Sequence, residues 1–161
     1  MIKYVSGDIL LSKADAVAHG IAPHDDFKQG FALSLREMWP SMYKDFRHFC
    51  KTKSPKTGEL WSWKGPQSPI IYNMFTQAPP KSEGSHPGRA TESNVLHSLK
   101  NLAKTVKSEG IKSISITKVA TGVGGLDWKD VKPLIENHLS DLDVNVYVYE
   151  TYQKDVKAEE H

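Results

Sequence analysis

A single cysteine, Cys50, stands in the 161 residues, so no internal disulfide can form and no cysteine cluster can hold zinc. No stretch is long and apolar enough to read as a membrane span. The opening MIKYVSGDIL has no signal-like apolar segment and starts directly in a strand pattern. Excess charge is also lacking: 21 Lys and Arg against 19 Asp and Glu leave +2, so composition gives no reason to expect nucleic acid. Internal repeats and low-complexity runs are absent. Together these point to a cytoplasmic, reducing setting with no membrane partner. What is present, 39% hydrophobic and 25% charged residues, suits one domain with a proper core.

Two glycine signatures are missing as well. The stretch from Ile114 to Trp128, ISITKVATGVGGLDW, contains neither the dinucleotide pattern G-x-G-x-x-G nor a P-loop, because no Gly-Lys-Ser/Thr follows its glycines. What it does contain is a strand-like alternation at Ile114 and Ile116, then Gly122, Gly124 and Gly125. Asp127 follows as an N-cap residue, before helical spacing over Lys129–Leu139. Strand, glycine loop and helix start form a geometry in which backbone N–H groups can face an anion. The loop reads as a phosphate-binding loop, and from this stretch alone a plain strand-to-helix turn stays open.

In chain order, Ile2–Ser6 predicts a short strand and Ala14–Ile21, nearly all apolar, a strand covered on both faces. Gly30–Met38 predicts a helix, and Met42, Phe46 and Phe49 the apolar side of a second, short one. Leu60–Trp63 and Ile70–Thr76 read as strands, with Trp39, Trp61 and Trp63 as packing residues. Gln77–Arg89, with three prolines and two glycines, reads as a long ordered loop. Thr91–Glu109 is the clearest helix, ended by Gly110, and Val144, Val146 and Val148 mark a closing strand. The tail after Tyr152 is charged and aperiodic and is expected to fray, so the boundaries are 1–152 for the domain and 153–161 for the tail. This order predicts a three-layer α/β/α fold around a mixed central sheet of about six strands.

Five motifs in that order carry a family resemblance. They are Ser6-Gly7-Asp8-Ile9, Asp15-Ala16-Val17-Ala18-His19, Gly30-Phe31-Ala32, Asn73-Met74-Phe75-Thr76-Gln77 and Gly122-Val123-Gly124-Gly125-Leu126-Asp127-Trp128. Over roughly residues 1–150 the chain resembles a macro domain, the ADP-ribose-binding module. Ala-His in the second strand, where other branches have Val-Asn, is similar to terminal ADP-ribose glycohydrolases and ADP-ribose 1''-phosphate phosphatases.

The resemblance implies that Asp8, with Gly7 beside it, accepts the exocyclic amine of adenine while the Ile9 N–H reads a ring nitrogen, and that Tyr149 lies against the base. It implies that Thr121, Gly122, Val123, Gly124, Gly125 and Leu126 present N–H groups to the diphosphate, with Gln29, Gly30, Phe31 and Ala32 covering it from the other side. ADP-ribose, free or on an ADP-ribosylated protein, would be the partner, with no cofactor. From the residues alone, Asp8 reads as a turn or cap residue after a strand, and Tyr149 equally as a surface tyrosine.

Two departures bear on chemistry. Lys28-Gln29-Gly30 has one glycine where macro domains usually have more. Glycohydrolases with a lysine nucleophile carry it where this chain has Gln77, and its partner aspartate where this chain has Gly124. An amide forms no Schiff base, so that mechanism does not transfer. His19 and His24, near Asp25 and Asp26, are the candidates for assisting hydrolysis, with a backbone-bonded histidine as the plain alternative and no metal expected. His86 and Arg89 lie in the long loop, where Arg89 is a candidate phosphate partner. Three functions stay open: an ADP-ribose reader, a hydrolase of an ADP-ribosyl ester or 1''-phosphate, and a nucleotide or nucleic-acid binder on the same fold.

Overall fold

The computed structural model describes residues 1–82, 85 and 87–160. Six strands, β1 (Ile2–Gly7), β2 (Ala16–Ile21), β3 (Leu60–Trp63), β4 (Ile70–Phe75), β5 (Ser113–Ile116) and β6 (Asn145–Tyr152), form one sheet in the order β1-β6-β5-β2-β4-β3. All neighbours are parallel except β3, which runs antiparallel to β4 at the edge. Among the described residues four α-helices cover it: α1 (Gly30–Met38), α2 (Pro40–Lys53), α3 (Glu92–Glu109) and α4 (Trp128–Leu139). The expected three-layer mixed-sheet fold is therefore present. Among the described residues no helix is long and apolar enough to cross a membrane.

The alternation of side chains along each strand divides the core in two. On β2, Ala16 and Ala18 join Ile114, Ile116, Val146 and Val148 beneath Leu99 and Leu102 of α3 and Val131 and Ile135 of α4. On the opposite face Val17 and Ile21 join Ile71, Phe75 and Tyr147 beneath Leu35 of α1 and Met42 and Phe46 of α2. Both faces of the inner strands are apolar, which is why these strands read as continuous hydrophobic runs.

Helix α3 is bounded by capping residues at both ends. The Thr91 hydroxyl accepts from Asn94 N at 3.1 Å, and Gly110 ends α3 in the left-handed region at φ 67°. Asp127 holds the N-cap position of α4, but its side chain makes no capping bond; its carbonyl accepts from Asp130 N at 3.0 Å instead. Helix α2 is longer than its apolar positions suggested, starting with Pro40 in its first turn and ending at its C-cap, Ser54, which takes the left-handed conformation at φ 43°. The tryptophans pack as expected: Trp61 stacks on Phe49 and Trp63 donates to Asp45.

The tail departs from expectation. Residues 153–160 fold back onto the body, with Gln153 N donating to Gly7 O at 3.0 Å and Asp8 N donating to Val156 O at 2.7 Å. Ala158 packs against the core on the α1/α2 face. The Glu160 carboxylate accepts from the Ser12 hydroxyl at 2.7 Å, Lys13 N at 3.0 Å, the Ser115 hydroxyl at 3.0 Å and the Tyr149 hydroxyl. Charged composition suggested fraying, yet here the charge finds converging donors, and a hydrogen-bonded carboxylate is held in place.

Candidate functional site

The carboxyl ends of the parallel strands open into two adjoining cavities of about 400 and 690 Å³ that share Gly30, Phe31, Thr117 and Lys118 in their walls. This is where open α/β sheets take ligands. The first cavity lies over the ends of β2, β4 and β5, between the segments at residues 117–124 and 28–32. The second runs to the ends of β1 and β6, past Ile9, Leu10, Tyr149 and Tyr152.

Residues 120–126 form a tight, self-bonded loop. Ala120 and Gly125 have φ 66° and 79°, Gly125 N donates to Gly122 O at 3.0 Å, and Leu126 N donates to Ala120 O at 3.0 Å. The glycines are not equivalent. A Cβ on Gly124 would stand 2.6 Å from Ala120 O, so closeness to its own loop requires glycine there. A Cβ on Gly122 would meet nothing within 4 Å. Of this loop, Ala120, Gly122, Val123 and Gly124 line the first cavity, and among the described residues the N–H groups of the last three donate to no protein acceptor. Thr121, Gly125 and Leu126 belong to the loop's frame: the Thr121 hydroxyl donates to Lys118 O at 2.7 Å, and none of the three lines a cavity.

Across the cleft stands the start of α1. The Gln29 side chain makes no capping bond to α1, Gly30 adopts φ 60°, and Leu33 N is the first amide to find a helical acceptor, Gln29 O at 3.3 Å. The preceding amides of Gly30, Phe31 and Ala32 therefore belong to the set that a helix cannot satisfy itself. The helix whose positive end borders the cleft is thus α1, whereas α4, which the sequence placed beside the glycine loop, contributes no lining residue.

At the far end of the first cavity, β2 brings His19 to the wall. It is 2% exposed, held edge-on to Phe27 and Phe31, and its Nε2 lies 2.7 Å from Asn73 Oδ1. Asn73 Nδ2 approaches the Trp61 carbonyl at 3.4 Å, which leaves its Oδ1 to accept the His19 Nε2–H. Burial pulls the imidazole down to about 4, so it is neutral at pH 7 with Nδ1 as a bare acceptor. Gln77 also lines this end, buried, donating to Gly88 O at 3.3 Å. The backbone beneath it is tied to the glycine loop through Ala90 N donating to Gly124 O at 3.0 Å.

Other expected residues are placed differently. Asp8 does not line either cavity. Its Oδ1 accepts from Leu10 N at 3.1 Å and its Oδ2 from Asp155 N at 3.0 Å, and it is 5% exposed. Asp8 is thus a cap of the Ile9–Leu11 turn and an anchor for the tail, while Gly7 and Ile9 do line the second cavity. Tyr149 lines it too, with its hydroxyl taken by Glu160. His24, exposed at φ 62°, faces a neighbouring cleft with Arg36, Tyr43, Arg47 and Lys51, which meets the first cavity at Asp25, Asp26 and Lys28. Burial raises the Asp25 carboxyl above its usual range. Arg89 lies against Gly125 rather than in a cavity wall, and His86 is outside the described residues. Among the described residues no three His, Cys, Asp or Glu come together to hold a metal. Sequence reasoning missed Thr117, Lys118, Ser34 and Leu10, which line the cleft through their place after a strand or in a first helical turn and carry no motif of their own.

Comparison with known proteins agrees with this fold. The macro domain family model matches residues 25–135. A DNA ADP-ribosyl glycohydrolase of Thermus aquaticus is 28% identical over 93% of this chain, which spans 41% of that relative. The ADP-ribose glycohydrolase OARD1 of Homo sapiens is 25% identical over 92% of this chain and 90% of its own length. Among solved structures, the macrodomain of Thermus aquaticus DarG superposes with a TM-score of 0.80 at 25% identity, covering 93% of this chain and 98% of that one. The chain spans about two-fifths of the length of the DNA ADP-ribosyl glycohydrolases it matches. With a family model covering most of its length and the fold to go with it, the chain belongs to the macro domain family.

Proposed function

We propose that the cleft binds ADP-ribose, with the diphosphate between the amides of Gly122–Gly124 and the start of α1. The distal ribose lies toward His19 and Gln77, and the adenine lies in the second cavity. The observation that carries this reading is the row of N–H groups at Gly122, Val123 and Gly124, which among the described residues donate to no protein acceptor, facing a helix start without a side-chain cap, an arrangement suited to a doubly charged diphosphate. The relatives support it: they include an ADP-ribose glycohydrolase, an ADP-ribose 1''-phosphate phosphatase and a Thermosipho africanus DarTG solved in complex with ADP-ribose.

The chemistry of the distal end favours binding over covalent turnover. Gln77 offers an amide where a nucleophilic amine is needed, and His19 is neutral and fixed by Asn73, so it can orient a hydroxyl or a water but donates no proton at pH 7. Hydrolysis here runs, if at all, through a positioned water. Calorimetric titration with ADP-ribose tests the binding. Turnover assays on ADP-ribose 1''-phosphate and on ADP-ribosylated protein then separate reader from hydrolase, and borohydride trapping of a lysine adduct would overturn the exclusion of the Schiff-base route.

A second reading concerns what carries the ADP-ribosyl group. The cleft next to the distal end holds Lys28, Arg36, Arg47 and Lys51 around Tyr43, with the Arg36 guanidinium 4.1 Å from the ring centre. Cations beside an aromatic face suit a nucleic-acid strand locally, although the chain's net charge is only +2. Relatives named DNA ADP-ribosyl glycohydrolase support this reading. Binding of an ADP-ribosylated oligonucleotide in preference to free ADP-ribose, weakened by salt and by Arg47→Ala, is its test.

A further inference from the structure

Residues 153–160 occupy the Asp8 carboxylate, the acceptor that the resemblance assigns to the exocyclic amine of adenine. Asp155 N–H donates to the Asp8 carboxylate at 3.0 Å, and one residue on, the Val156 carbonyl accepts from the Asp8 N–H at 2.7 Å. The resemblance gives the exocyclic amine of adenine the same Asp8 carboxylate that the Asp155 N–H occupies here, and gives its ring nitrogen the neighbouring Ile9 N–H, whereas the tail's second bond falls on the Asp8 N–H. The segment runs so close that a Cβ on Gly7 would stand 2.8 Å from both Val156 O and Ala158 N. It is tethered beyond this point by Glu160. Burial of that carboxylate works to raise its pKa, yet hydrogen bonds from Tyr149, Ser12, Lys13 and Ser115 hold it below the ordinary range.

We propose that residues 153–160 are an intramolecular competitor for the adenine end of the cleft, which a ligand must displace from Asp8 before its base can bond there. The proposal rests on the ADP-ribose reading given above. Two features favour displacement over permanent closure. Asp155 holds the tail's contact in the left-handed region at φ 60°, a costly conformation for a residue with a Cβ. The Glu160 anchor lies away from Asp8, on Ser12, Lys13, Ser115 and Tyr149, so the contact at 155–156 can open while the segment stays tethered and returns at high effective concentration.

The experiment uses the full chain. Asp155→Pro removes the N–H and excludes a positive φ, so the segment cannot seat on Asp8. It should bind ADP-ribose at least fivefold more tightly than the parent, while ribose 5-phosphate, which has no base, binds both equally. Asp155→Asn keeps the backbone donor and should match the parent. Equal ADP-ribose affinity for parent and Asp155→Pro, with the latter shown folded by its thermal transition, overturns the proposal and leaves the ADP-ribose reading intact. Absence of ADP-ribose binding by parent and variant alike overturns both. Should Asp155→Pro not fold, hydrogen exchange on the parent decides: the Asp155 amide, protected in the free protein, should lose its protection at saturating ADP-ribose, and unchanged protection overturns the displacement.

Discussion

At the scale of single residues, the glycine loop shows how one motif divides into separate roles. Sequence reading treated Gly122–Gly125 as a unit that approaches phosphate, but only Gly122 has open space where a Cβ would go. Gly124 is fixed by Ala120 and Gly125 by φ 79°, so substitutions there strain the loop before they touch a ligand. Gly122→Glu is therefore the informative change. It brings a carboxylate into the cleft without strain, and ADP-ribose affinity should fall at least tenfold, about 1.4 kcal/mol, with the thermal midpoint unchanged. Gly124→Ala should instead lower the thermal midpoint. Equal affinity for parent and Gly122→Glu would remove the diphosphate from this loop. That this loop needs glycine was legible in the sequence; that Gly124 and Gly125 need it for the loop's own closure while Gly122 does not was not, because the approach of Ala120 O to Gly124 and of Arg89 to Gly125 arises only in the fold.

At the scale of elements, the strands and helices were legible because their apolar spacing and their end residues agree. Thr91 and Gly110 bound α3 as a cap and a left-handed terminator should, and Val95, Leu99, Leu102 and Val106 bury its inner face. Since α3 packs on the sheet face away from α1, its stability and the ligand affinity should separate. Thr91→Ala should cost about 1 kcal/mol in urea unfolding and leave ADP-ribose affinity as it was. A matching loss of affinity would mean that α3 helps to hold the cleft through Ala90 and Gly124. What chain adjacency could not convey is which helix start faces the cleft, although the resemblance set Gln29–Ala32 across from the glycine loop. Adjacency along the chain pointed to α4, yet the strand order sets the start of α1, far away in sequence, opposite the glycine loop. The same limit hid the tail, whose donors Ser12, Lys13 and Ser115 come from the other end of the chain and from a central strand.

For the molecule as a whole, the histidine at the cleft wall links the site to folding stability. His19 is neutral in the folded protein down to about pH 4, whereas in the unfolded chain it takes up a proton near its ordinary value of 6.5. Between those values the unfolded state binds more protons than the folded one, so stability is full above pH 6.5 and falls as pH drops toward 4. The difference of two to three pH units corresponds to about 3 kcal/mol lost across that window. Asp25 works in the opposite direction, because burial raises its carboxyl pKa and the folded state then holds a proton longer. Its effect begins only toward the acid end. The separation is made by replacement: His19→Gln keeps a side chain able to donate to Asn73 Oδ1 and removes the titration. Urea midpoints measured from pH 7.5 to 4.5 should slope downward for the parent and run nearly flat for His19→Gln. Parallel slopes in the two proteins would place the acid sensitivity elsewhere and leave His19 titrating as an ordinary histidine, free to act as an acid near neutrality.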